Sequence, residues 1–144
     1  MKYFATLACY SALAFCCGAA AAAGTEIKGA AILDHPCGKV SVKQMGLVHD
    51  GKMEDANKLT TKEMQAQWKA MPASDRTMMT GMMKEMSSTE QQYANDIKSN
   101  GVLVVDGQAA TLTVKKTTKD KNGTSTSTMT QNFKLDGGQC LISR

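Results

Sequence analysis

Apolar residues recur every three to four positions up to about residue 100 and every second position beyond it. That change of period predicts one α+β domain over 34–144, with helices across 34–100 and an antiparallel sheet across 102–143. The stretch 24–33 carries no clear period and is expected to be a flexible N-terminus of the mature chain.

The first helix is expected to open at Asp34-His35-Pro36, with a cap from Asp34 or His35 and proline in the first turn. Cys37, Val40, Gln44, Leu47 and Val48 then share an arc of about 100°, so Cys37 falls on the core side. Asp50-Gly51 ends this helix, and KMEDANKL (52–59) reads as a short second one. The segment 60–71 opens with a Thr60-x-x-Glu63 capping box, and Met64, Trp68 and Met71 follow at i, i+4, i+7. Pro72 breaks that helix, Ser74 or Asp75 is expected to cap the next, and 87–101 reads as a last helix with Tyr93 and Ile97 inward.

Explicit turns separate the strands: Asp106-Gly107, Asn122-Gly123 and Asp136-Gly137-Gly138. Two-residue loops centred on the first two dipeptides pair Leu103 with Ala110, Val105 with Gln108, Ala110 with Leu135, Leu112 with Phe133 and Val114 with Gln131. All of these, with Cys140 and Ile142, then lie on one face. A four-stranded meander with one apolar face follows.

RTMMTGMMKEM (76–86) holds five of the eleven methionines. On a helix, Met78, Met79, Met82, Met83 and Met86 occupy an arc of about 140°, opposite Thr77, Gly81, Lys84 and Glu85. Such a face covers something: the domain's own sheet, a ligand, or another subunit. Thioethers at i+3 and i+4 spacing also suit Cu(I), which makes Met79, Met82, Met83 and Met86 an alternative metal set. No His lies near them.

The N-terminus reads as a secretory signal. One charge, Lys2, precedes an uncharged run from Tyr3 to Ala23 that ends in small residues, so cleavage is expected after Ala23. An uncleaved anchor and a lipoprotein are the alternatives, the latter disfavoured by Phe15 before Cys16. The expectation is a chain exported to the periplasm or secreted, with no stable membrane span after cleavage. Losing Lys2 lowers the net charge by one from the +4 of the full chain, too weak a bias for nucleic acid. The basic cluster Lys115, Lys116, Lys119 and Lys121 reads as a solvated loop tip. Cys9, Cys16 and Cys17 leave with the signal. Cys37 and Cys140 then remain as one expected disulfide in an oxidising compartment. A thiol metal site with His35 and a reactive thiol are the competing readings.

MGLVHDGKMEDANKL (45–59), GVLVVDGQAATLTV (101–114) and FKLDGGQCLI (133–142) together resemble the nuclear-transport-factor-2-like (cystatin-like) α+β cone superfamily, in its exported, lumazine-binding-like or lipoprotein-type branch. The resemblance spans about residues 34–143 and implies helices on a curved four-stranded meander with a pocket between them. Cys140 stands where that family usually has Trp. The family includes isomerases and dehydratases as well as binding and interaction domains, so the fold alone assigns no activity.

An isomerase-like site needs a carboxylate base in an apolar pocket and an oxyanion donor. No Asp or Glu falls on the inner face of the expected strands, and Tyr93 is the one tyrosine past the signal. The expectation is therefore a non-enzymatic binding or accessory protein without a cofactor. Its partner would be an apolar small molecule or a protein, a homodimer included. The expected face is Met64, Trp68, Met79, Met82, Met83, Met86, Tyr93 and Gln131. The alternatives are a Met-based Cu(I) binder and a small isomerase-like enzyme, for which Tyr93 and His49 are the residues to test.

Overall fold

The computed structural model describes residues 24–120 and 123–144, so the expected signal segment and the tip at Lys121-Asn122 lie outside it. The chain runs β1 (Thr25–Lys28), α1 (Ala31–Asp34), α2 (Pro36–His49), α3 (Met53–Asn57), α4 (Lys62–Ala70), α5 (Ala73–Met86) and α6 (Glu90–Asn100). It continues β2 (Gly101–Asp106), β3 (Ala109–Asp120), β4 (Gly123–Asp136) and β5 (Gln139–Ser143). The fold is α+β, with one antiparallel sheet in the order β1-β2-β3-β4-β5.

The sheet has five strands rather than four, because 24–33 is ordered structure and not a flexible lead-in. Residues 25–28 pair with β2, Ile27 opposite Leu103, and Ile32 of α1 is fully buried. A short strand bearing Glu26 and Lys28 thus covers what would be a bare apolar edge on β2. The opposite edge is covered as well. Thr61 N–H donates to Ile142 O at 2.9 Å, and Ile142 N–H to Leu59 O at 2.9 Å.

Sequence parity places the correct face inward, but the register differs by two. Leu103 faces Leu112, Val105 faces Ala110, Ala110 faces Phe133, Leu112 faces Gln131 and Val114 faces Met129. At the first hairpin the cause is Gly107, which takes φ +57 as the first of the two loop residues, whereas no non-glycine residue among the described ones adopts positive φ. That is the glycine-first arrangement of a II′ loop, and it moves the loop from 106–107 to 107–108. The second ladder closes at Asp120 opposite Gly123, and the two residues between them lie outside the described ones. At the third, Gly137 and Gly138 both take positive φ and Leu135 faces Cys140.

Leu103, Leu112, Val114, Phe133, Cys140 and Ile142 meet Ile32, Cys37, Val42, Tyr93 and Ile97 in one core. Burying a large apolar side chain contributes about 1.5–3 kcal/mol, so these contacts dominate stability. The expected disulfide is present, joining Cys37 to Cys140 with Cα atoms 5.0 Å apart. It fastens the start of α2 to β5. His35 caps α2 by accepting the Cys37 N–H at its Nδ1, 3.2 Å away. Burial holds the His35 pKa below the usual histidine value.

Two caps differ from expectation. Thr61 rather than Thr60 is the N-cap of α4, and Thr60 Oγ1 donates back to Asn57 O at 2.7 Å. Pro72, extended at ψ 147°, precedes α5 in place of a Ser74 or Asp75 cap, and Ser74 Oγ instead bonds Asp75. A full Thr89–Gln92 capping box opens α6. No helix among the described residues is long and apolar enough to cross a membrane.

Candidate ligand-binding grooves

The methionine helix does not cover the sheet. That work falls to α1, α2 and α6, while α5 packs on α2 and buries none of its own residues. Met78, Met82 and Met86 are 64, 57 and 82% exposed, and Met79 and Met83 about 38–39%. A helix with so wet an apolar face is unusual unless something else covers it.

The half-exposed pair points into a groove between α5 and the α3–α4 pair. Spacing explains the walls: Met64 and Trp68 stand one turn apart on α4, Met79 and Met83 one turn apart on α5. Met53 of α3 and Met71 after α4 join them, around a volume of about 280 Å³. Five thioethers and the chain's one tryptophan therefore face a single hollow. Trp68 is 8% exposed, and its Nε1–H donates to Glu54 Oε1 at 3.0 Å. Arg76 Nη1 lies 3.7 Å from the same oxygen. One carboxylate thus ties α3, α4 and α5 together at the back of the groove.

A second groove of about 320 Å³ lies between α2, α5 and β4, walled by Met45, Val48, Met83, Met86 and Met129. Gln44 and Met83 line both hollows.

Beneath them a polar chain enters the core. Ser41 Oγ lies 3.2 Å from the Tyr93 hydroxyl and donates to Gln131 Oε1, and Gln131 Nε2 donates to Gln44 Oε1 at 2.6 Å. Ser41 has one proton to give. Passing it to Gln131 lets the Tyr93 O–H donate to Ser41, whereas the reverse order would strand a buried hydroxyl proton, which costs about 1–3 kcal/mol. Burial raises the Tyr93 pKa, opposed by its bond to Ser41.

The expected face is thus only partly assembled. Met64, Trp68, Met79 and Met83 share the first groove, and Met83, Met86 and Gln131 the second. Met82 lines neither. Tyr93 is 2% exposed in the core, because a residue on the inward arc of α6 meets the sheet and not the grooves. The four methionines of the alternative copper set do not converge on one hollow, since Met79 and Met86 lie in different grooves. Gln44, Met45, Met53 and Met129 were absent from the expected set. Gln44 on the apolar arc of α2 was the one available signal, a polar residue where the pattern calls for an apolar one.

Among the described residues, no group of three or more His, Cys, Asp or Glu side chains could hold a metal ion. His49 lies at the far end of α2 from His35, its Nδ1 buried without a hydrogen-bond partner. Lys43, Lys52, Asp50 and Glu90 surround it in a shallow hollow. The chain matches no protein-family model, no curated protein and no solved structure.

Proposed function

We propose that this is an exported, non-enzymatic binding protein that holds a flexible apolar ligand in the methionine-lined groove between α3, α4 and α5. One observation carries the reading: five thioethers and Trp68 face a single hollow, one wall of which is a helix that buries nothing of its own. Methionine is unbranched and polarizable, so such walls adapt to a guest rather than fix one shape. Ligand hollows are mostly apolar with a few placed polar groups, and Gln44 supplies such a group here. Export is supported by the Cys37–Cys140 bond, which suits an oxidising compartment, and by the signal-like N-terminus. Helices followed by an antiparallel meander support the resemblance to the nuclear-transport-factor-2-like cone.

The test uses Trp68 as the reporter. Titrating the protein with an apolar fluorescence quencher or a medium-chain carboxylate shifts or quenches Trp68 emission saturably, and Met64→Lys with Met79→Lys abolishes the response. A linear, non-saturating change equal in both proteins would overturn the reading.

The same five sulfurs favour a second reading, Cu(I) binding by Met53, Met64, Met71, Met79 and Met83. Anaerobic Cu(I) titration separates the two: stoichiometric binding that competes with a strong chelator and is lost in Met79→Leu/Met83→Leu would favour copper.

A further inference from the structure

We infer that the two grooves are halves of one channel for an unbranched acyl chain with a carboxylate head, with Met83 as the movable divider. The inference rests on the binding reading above and names the ligand's chemical class.

The two hollows meet at Gln44 and Met83 and share no other side chain. Gln44 is fixed, because its Oε1 accepts from Gln131 at 2.6 Å in a network that runs down to buried Ser41 and Tyr93. Met83 is free to move: it is 39% exposed on a helix without buried residues, and its unbranched side chain has three rotatable bonds. Swinging it outward joins the two hollows end to end above Gln44. Apolar walls continue on the far side through Met45, Val48, Met86 and Met129.

Electrostatics selects the head group. The network directs Gln44 Oε1 at Gln131, which leaves the Gln44 Nε2–H₂ as a donor at the junction, with no protein acceptor among the described residues. The first groove carries one charged side chain on its lining, Arg144, and the second carries none. Neither lining includes an Asp or Glu side chain, so an anionic head meets a guanidinium and an amide donor. The head therefore sits in the first groove against Arg144, the near part of the chain lies along its methionines, and the tail passes Gln44 and Met83 into the second groove.

The experiment compares octanoate, hexadecanoate and hexadecyltrimethylammonium, each below its micelle concentration, by Trp68 fluorescence and calorimetry. It uses the wild type, Met83→Ala and Met83→Ile. Isoleucine keeps the apolar bulk but is stiff at χ1, so it cannot swing aside. A buried methylene strengthens binding about fourfold at most. With the ordering cost of a longer chain, wild type is expected to prefer hexadecanoate over octanoate on the order of a hundredfold. Met83→Ala keeps or widens that preference, and Met83→Ile reduces the hexadecanoate-to-octanoate ratio at least about tenfold. The cationic amphiphile binds at least about tenfold more weakly than hexadecanoate. An unaltered chain-length preference in Met83→Ile overturns the divider alone, and equal binding of the cation overturns the head assignment. Absence of saturable binding by any of the three overturns this inference together with the binding reading.

Discussion

Trp68 hands its indole N–H to Glu54 at 3.0 Å, and this bond between α4 and α3 sets the back wall of the methionine groove. The Glu54 carboxylate is 69% exposed and also meets Arg76 of α5. Glu54→Ala is expected to cost about 1 kcal/mol and to move Trp68 emission to longer wavelength as the ring loosens. Glu54→Gln keeps an acceptor and preserves the emission. Steady-state fluorescence with urea unfolding reads both; equal emission in all three proteins would contradict the role given to Glu54.

The Cys37–Cys140 bond closes a loop across a sequence separation of 103. For a loop near that length the chain-entropy model gives about 4.7 kcal/mol. The double variant Cys37→Ser/Cys140→Ser is expected to lose roughly 2–5 kcal/mol by urea unfolding. Alkylation of unfolded, unreduced protein beginning at Gly24 should label no thiol.

Two glycines in helices are expected to respond in opposite directions. A Cβ on Gly38 would sit 1.8 Å from Ile32 O, where α1 crosses the start of α2. Gly38→Ala therefore forces the backbones apart and costs about 1–3 kcal/mol. A Cβ on Gly81, in the middle of α5, meets nothing within 4 Å. Gly81→Ala is expected to stabilise by about 0.5–1 kcal/mol. Thermal unfolding followed by circular dichroism distinguishes the two signs.

His35 caps α2 only while its Nδ1 lone pair is free, and burial lowers its pKa in the fold. Below about pH 6.5 the unfolded chain takes up this proton more readily than the folded one. The contribution of His35 is therefore complete above that pH and is lost as pH falls through the lowered folded value. His35→Asn keeps a capping acceptor and should flatten that part of the stability-against-pH curve. An unchanged slope between pH 7 and 5 in the variant would contradict the assignment.

Most of the helices, the inner face of the sheet and the disulfide were legible in the sequence, because each depends on local period, turn residues or cysteine count. Register was not: parity is the same for loops at 106–107 and 107–108, and only the backbone preference of Gly107 against Asp106 decides. β1 was hidden because Thr25–Lys28 holds one apolar residue, Ile27, and takes its meaning from a partner near residue 103. The groove was half legible. The one-turn spacing of Met64 with Trp68 and of Met79 with Met83 marks walls, but amphipathicity does not say what a face meets. By the same criterion Tyr93 looked equivalent, yet it lies in the core and Met82 lies in the open.

The central claim is that the methionine groove is occupied by an apolar ligand when the protein does its work. Native mass spectrometry of the mature protein, purified from its own host without detergent, tests this most directly. The account predicts a monomer carrying an added mass of an acyl-chain carboxylate, released by organic solvent and absent from Met64→Lys/Met79→Lys. A bare mass, or a copper adduct lost with the same methionines, would contradict it.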